Sequence, residues 1–161
     1  APAWAHVRDV MRAEGVPSTV RFGVCLMAST FKPDTHHAPA DVWIPAWLRP
    51  GFVACDGYSR DTSSGQKPKT FAEVFTAAHE FAAAKGKPFV IEEAGMAVDD
   101  KMDPALKVAW FNDASELLNI WKPDLFMYSN VQAANFGGQN YRIDSSPSAL
   151  AAFKQLVVGL S

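Results

Sequence analysis

Cysteine is scarce in these 161 residues: only Cys25 and Cys55 occur, each within an apolar, strand-like run. The disulfide framework that staples small secreted domains is therefore excluded. A single bridge and two buried thiols both fit the sequence; we read two buried thiols, which leaves the compartment open. Charge of one sign is lacking as well. Fifteen Lys and Arg stand against seventeen Asp and Glu, for a net charge of −2. No basic cluster occurs, which argues against binding nucleic acid through phosphates. No apolar run approaches the ~18–20 residues that span a bilayer, so membrane insertion is not expected. Glycine-rich phosphate loops are absent too, as is the nucleophile-elbow sequence of Ser/His/Asp hydrolases.

What is present is a globular composition, 48% hydrophobic and 20% charged, in a chain long enough for one substantial core. We read residues 1–161 as a single domain. Trp4 to Glu14 carries Trp4, Val7, Val10 and Met11 at helical spacing, closed by Gly15. Thr19 to Met27 reads as a strand. Ala28 to Pro50 holds four prolines, so any helix there is short. Phe52 to Cys55 is a short buried strand. Thr70 and Glu73 then form a capping box ahead of an apolar face of Phe71, Val74, Phe75, Ala78, Phe81 and Ala82, stopped at Lys85-Gly86. Phe89 to Glu92 is a third strand. Asp103-Pro104 opens a helix that ends before Pro123, Leu125 to Tyr128 is a fourth strand, and Ser146-Pro147 opens a last helix.

Apolar strands separated by helices imply a parallel sheet covered by helices. Periodicity alone leaves two forms open, a doubly wound open sheet and part of a closed barrel. In both, ligands gather at the carboxyl ends of the strands. The residues there are Met27-Ala28-Ser29, Asp56-Gly57-Tyr58, Glu92-Glu93-Ala94-Gly95 and Tyr128-Ser129-Asn130, a set of acids, aromatics and amides.

Three segments carry a resemblance. Lys87-Pro88-Phe89-Val90-Ile91-Glu92-Glu93-Ala94-Gly95 is similar to the strand that ends in the nucleophile of retaining glycoside hydrolases, above all family 26 mannanase-like enzymes. Trp47 to Tyr58, with Pro50-Gly51 and Asp56-Gly57-Tyr58, resembles the strand before it. Tyr141-Arg142-Ile143-Asp144-Ser145-Ser146-Pro147 resembles the opening of the last helix in actinobacterial and actinophage members. The three occur in the family's order and cover most of the chain. The resemblance implies an α/β fold, the C-terminal half (strands 5–8) of a TIM-type (β/α)8 barrel with parallel strands and covering helices.

The resemblance further implies that Glu93 is the catalytic nucleophile and that Tyr58 orients it. Tyr128 and Asn130 would line a sugar subsite. Trp43, Trp47, Phe136 and Tyr141 would offer faces for stacking on sugars. Asp56 either supports the site or caps the Gly57 turn. A retaining enzyme needs a second, protonated carboxyl about 5–5.5 Å from the nucleophile, with surroundings that separate the two pKa values. That acid belongs to the family's fourth strand, and Trp4 onward looks like the helix after it, so the domain is expected to continue upstream of Ala1. His79-Glu80 lies within a helix and is no substitute. Glu92 stands where the family has a small or neutral residue, and Ala94 where it has Thr. Strand alternation turns Glu92 outward unless a bulge intervenes.

No cofactor is expected, and Asp34, His36 and His37 are read as a solvated loop rather than a metal site. The expected partners are a polysaccharide or cell-wall glycan and the missing half of the barrel or a neighbouring chain. The expected setting is extracellular or virion-associated. A competing reading is a non-catalytic glycan-binding or structural module of a phage tail or secreted assembly.

Overall fold

The computed structural model describes residues 2–32, 38–60, 67–97, 103–133 and 139–160. Helix α1 (Pro2–Ala13) leads through a turn into β1 (Val24–Met27). A 3₁₀ turn at Ala28–Phe31 and the one-turn helix α2 (Ala40–Trp43) follow, and then β2 (Val53–Ser59), α3 (Phe71–Ala84), β3 (Phe89–Met96), α4 (Ala105–Trp121) and β4 (Leu125–Tyr128). A short antiparallel pair, β5 (Gln132–Ala133) with β6 (Gln139–Asn140), precedes α5 (Pro147–Gly159). The helix ends obey local rules. Thr70 accepts from the Glu73 backbone while Glu73 reaches back to the Thr70 N–H. Gly86 takes a positive φ beyond α3, Lys122 closes α4 in the left-handed region, and Ser146 caps α5.

All four main strands are parallel, and their order in the sheet is β1-β2-β3-β4. Sequence order and spatial order coincide. A doubly wound sheet would reverse direction at a switch point; this one does not, so every helical crossover falls on one face. The architecture is that of half a (β/α)8 barrel. A half-barrel sheet is coiled, and Arg21, shortly before β1, bonds Asp124, just before β4, at 2.7 Å, which ties the two outer strands together at their amino ends.

The two faces differ as the coil requires. On the convex face Val24, Leu26, Val53, Cys55, Phe89, Ile91, Ala94, Met96 and Phe126 pack beneath the helices. Phe71, Phe75, Trp110 and Phe111 fill the space above them, with ring centroids 4.7–5.7 Å apart. Helix α3 lies so close to β2 that a Cβ on Gly57 would meet Val74 Cγ1 at 2.5 Å. The concave face carries Cys25, Met27, Asp56, Tyr58, Leu125 and Met127, and at the outer strands it is open to solvent.

The structure amends several expectations. Strand β1 begins at Val24, not Thr19, because its ladder starts with Val24 opposite Val53; before it the Phe22 carbonyl accepts from Gly51 N–H at 2.7 Å, outside the ladder. Strands β2 and β3 run four residues further than expected, past Cys55 and Glu92 to Ser59 and Met96. The thiols are free. Cys25 pairs with Ala54 and Cys55 with Leu26, so the two point to opposite faces and cannot bridge. Cys55 is buried as expected, whereas Cys25 is exposed on the outer strand.

Candidate active site

The site forms at the carboxyl ends of β2 and β3. Cys55 lies opposite Ile91, but the next residue, Asp56, lies opposite Glu93. On the other side Ile91 pairs with Phe126 and Ala94 with Tyr128, so three steps of β3 face two of β4. One extra residue is therefore inserted at Glu92-Glu93, a β-bulge. The bulge absorbs one alternation: Ile91 and Ala94 both stay in the convex core, and the two glutamates between them both leave it. Glu92, expected to face outward, instead joins the concave face, where its carboxylate lies within 4.8 Å of Cys25 and Asp56.

Tyr58 donates its phenol proton to Glu93 Oε2 and lies 3.0 Å from Ser129 Oγ, which can return a bond to the same oxygen. Burial, and then the bond to Glu93, push the Tyr58 phenol up to about 12, so it remains a donor throughout the ordinary pH range. Tyr58 is in turn held edge-on by Tyr141, with centroids 5.4 Å apart. Both rings rest on Gly95, where a Cβ would stand 2.8 Å from Tyr141 Cδ1 and 2.9 Å from Tyr58 Cδ1. The glycine is required by this close approach.

Below this pair lie Cys25, Asp56 and Glu92. Asp56 Oδ1 is sealed from solvent without a hydrogen-bond partner. Burial raises the Asp56 carboxyl above its ordinary range; the Cys25 thiol offsets part of that, and the charges of Glu93 and Glu92 add to it. The Cys25 sulfur is turned against its two acidic neighbours although the residue as a whole is exposed. Burial first, then hydrogen bonds with Asp56 and Glu92, hold its thiol far above the normal range. Among the described residues these three form the one group with metal-ligand spacing. A thiol and two carboxyls so arranged can equally share protons. Asp34, His36, His37 and Phe136 lie outside the described residues.

The other expected residues are distributed differently. Tyr128 packs on the helix side against Trp110, Phe111 and Phe153, and its phenol donates to the Tyr141 carbonyl at 2.8 Å. It braces the wall of the site instead of lining a subsite. Asn130 accepts from the Ile143 N–H at 3.0 Å and so holds the same loop. Trp43 and Trp47 are exposed but sit at the far end of the barrel. Asp41 of α2 is bonded to Lys85 at the C-terminus of α3, where the chain returns to the start of β3. They offer no stacking face at Glu93. His79 is held by stacking on Trp121, 4.6 Å between centroids, away from the concave face. Sequence reasoning placed Ser129 and Glu92 at strand ends without giving them a role, and it missed Cys25. The unusual pair of adjacent glutamates within an apolar strand was the available signal for the bulge.

A half-barrel with carboxylates at its strand carboxyl ends, and a phenol aimed at one of them, is an arrangement suited to nucleophilic or general-base chemistry. The chain is 27% identical over 163 residues to Endoglucanase H of Acetivibrio thermocellus, a match spanning 96% of this chain and 16% of that protein. The chain thus spans about a sixth of its relative's length. No protein-family model matches it. The likeness supports a relationship with glycoside hydrolases as a class and does not bear on the family 26 or actinophage assignment. Among the described residues no helix is long and apolar enough to cross a membrane.

Proposed function

We propose that this chain is the nucleophile-bearing half of a secreted retaining glycosidase acting on a β-linked polysaccharide. The observation that carries the reading is the position of Glu93: at the carboxyl end of β3, on the concave side of a bulge, accepting a hydrogen bond from Tyr58. In the proposed first step Glu93 attacks the anomeric carbon and the glycosidic C–O bond breaks, giving a glycosyl ester; water then hydrolyses it. Tyr58 fixes the carboxylate so that one oxygen is held while the other faces the sugar. The likeness to an endoglucanase supports a polysaccharide substrate.

The reaction also requires a protonated carboxyl for the leaving oxygen. Asp56 shifts in the direction an acid needs, but its sealed Oδ1 and its place deeper along β2 than Tyr58 keep it from a leaving group. We assign the acid to the four β/α units that would close the barrel. The test is hydrolysis of β-glucans and β-mannans by the protein with and without such units. Glu93→Gln should abolish turnover with the fold unchanged by circular dichroism, since the replacement is nearly isosteric. Undiminished turnover in that variant would remove Glu93 from the role.

A further inference from the structure

Lys107 is a full lysine, 0% exposed, in the first turns of α4. Lysine is almost never completely buried unless its ammonium is matched. Among the described residues no carboxylate bonds it. Its Nζ donates to the Arg142 carbonyl at 2.8 Å, the Asn140 carbonyl at 3.2 Å and Ser145 Oγ at 3.2 Å. The charge of Asp144 acts on it, but Asp144 is itself engaged by Arg142. All three protons are used, and all three acceptors belong to one loop. Burial lowers this ammonium to about 8, only partly opposed by Asp144. A methionine would fill the same space without that desolvation cost, so what the lysine adds is the shape of the loop.

That loop carries Tyr141. The two carbonyls that flank it, of Asn140 and Arg142, are held by Lys107, and its own carbonyl is held by Tyr128. Three successive peptide groups are therefore pinned. Tyr141 is 6% exposed, lies against Gly95 and supports the ring of Tyr58, whose phenol bonds Glu93.

We propose that Lys107 is a positioning residue for the Glu93 carboxylate, acting through the 140–145 loop, Tyr141 and Tyr58. The role rests on the reading of Glu93 as nucleophile. It makes no contact with substrate and is separated from the reacting atoms by two tyrosine rings.

The test uses ¹³C-tyrosine-labelled protein, because with three tyrosines in the chain each ring carbon can be followed by itself. Lys107→Met and the milder Ser145→Ala are compared with the native protein. The expected result is a shifted Tyr58 signal and a Tyr58 titration displaced from about 12 toward the ordinary tyrosine value, larger for Lys107→Met. Lys107→Arg should restore part of both. With the units that close the barrel present, turnover of an aryl β-glycoside, well below the thermal midpoints, should show kcat falling by up to about a hundredfold with KM little changed, the cost of a misplaced reacting group. An unchanged Tyr58 signal in both variants, or a shifted signal with native kcat, overturns the proposal. If the native protein, with the units that close the barrel present, turns over no glycoside, the glycosidase reading fails, and with it the catalytic consequence; the tyrosine signals then decide whether Lys107 positions Tyr58.

Discussion

At the scale of single residues, the concave face is costly to build. Asp56, Glu92, Glu93 and Cys25 crowd a few positions, and burial raises both Asp56 and Cys25. A carboxyl whose folded pKa lies above its unfolded value favours the native state most at low pH; that contribution is lost as pH rises through the folded value. At neutral pH the raised Asp56 carboxyl therefore works against folding. Asp56→Asn is expected to raise the thermal midpoint at pH 7, and the gain should shrink below the ordinary aspartate range near pH 4. Thermal melts at both pH values check this; an equal gain at both would mean that the charge is not the cause. The same trade of stability for function is common where charged groups are gathered for chemistry.

At the scale of elements, the bulge and the close helix–strand contact set the site. Gly57 lets α3 rest directly on β2, one residue before Tyr58. Gly57→Ala, placing a Cβ 2.5 Å from Val74 Cγ1 and 2.6 Å from Phe75 Cε1, should cost about 1–3 kcal/mol in denaturant unfolding through overpacking. Unchanged stability would mean that the helix yields freely. Elements of this kind were only partly legible in the sequence. Helices α3 and α5 announced themselves through Thr70, Glu73, Ser146 and Pro147, because caps are local chemistry. Glu93 and Tyr58 were singled out by the resemblance of their segments to retaining glycoside hydrolases; the strand ends by themselves gave only a wider set of acids, aromatics and amides. The orientation of Glu92 could not be read, since alternation fails at a bulge and a bulge depends on both neighbouring strands. Tyr128 misled for the same reason: its place at a strand end suggested the site, and only the packing of α4 and α5 shows that it turns toward Phe111 and Phe153. Trp43 and Trp47 were misplaced because a long proline-rich loop gives no sign of which end of the sheet it visits.

At the scale of the whole molecule, the sheet is coiled but not closed. Among the described residues nothing pairs with the outer edges of β1 and β4, and the concave face shows Met27, Leu125 and Met127, each 43–51% exposed. Beside β4, a groove of ≈ 580 Å³ opens between α4 and α5, lined by Leu118, Leu125, Phe126, Phe153, Leu156 and Val157. Unpaired edges beside apolar surface favour association. These 161 residues in isolation should self-associate in sedimentation experiments at micromolar concentration, and addition of the complementary barrel half should convert them to a defined complex. A cooperative monomer indifferent to that half would mean that the edges are satisfied within the chain.

The most direct test of the central claim separates the nucleophile from the acid. An activated 2-deoxy-2-fluoro-β-glycoside with a dinitrophenolate leaving group departs without protonation, so it needs only the attacking carboxylate, and the fluorine slows release of the glycosyl ester. The protein is incubated with it and analysed by peptide mass spectrometry. The account predicts one added fluoroglycosyl group on the peptide containing Glu93, absent in Glu93→Gln. Stoichiometric labelling of a different carboxyl would contradict it, and so would complete inertness with the barrel closed.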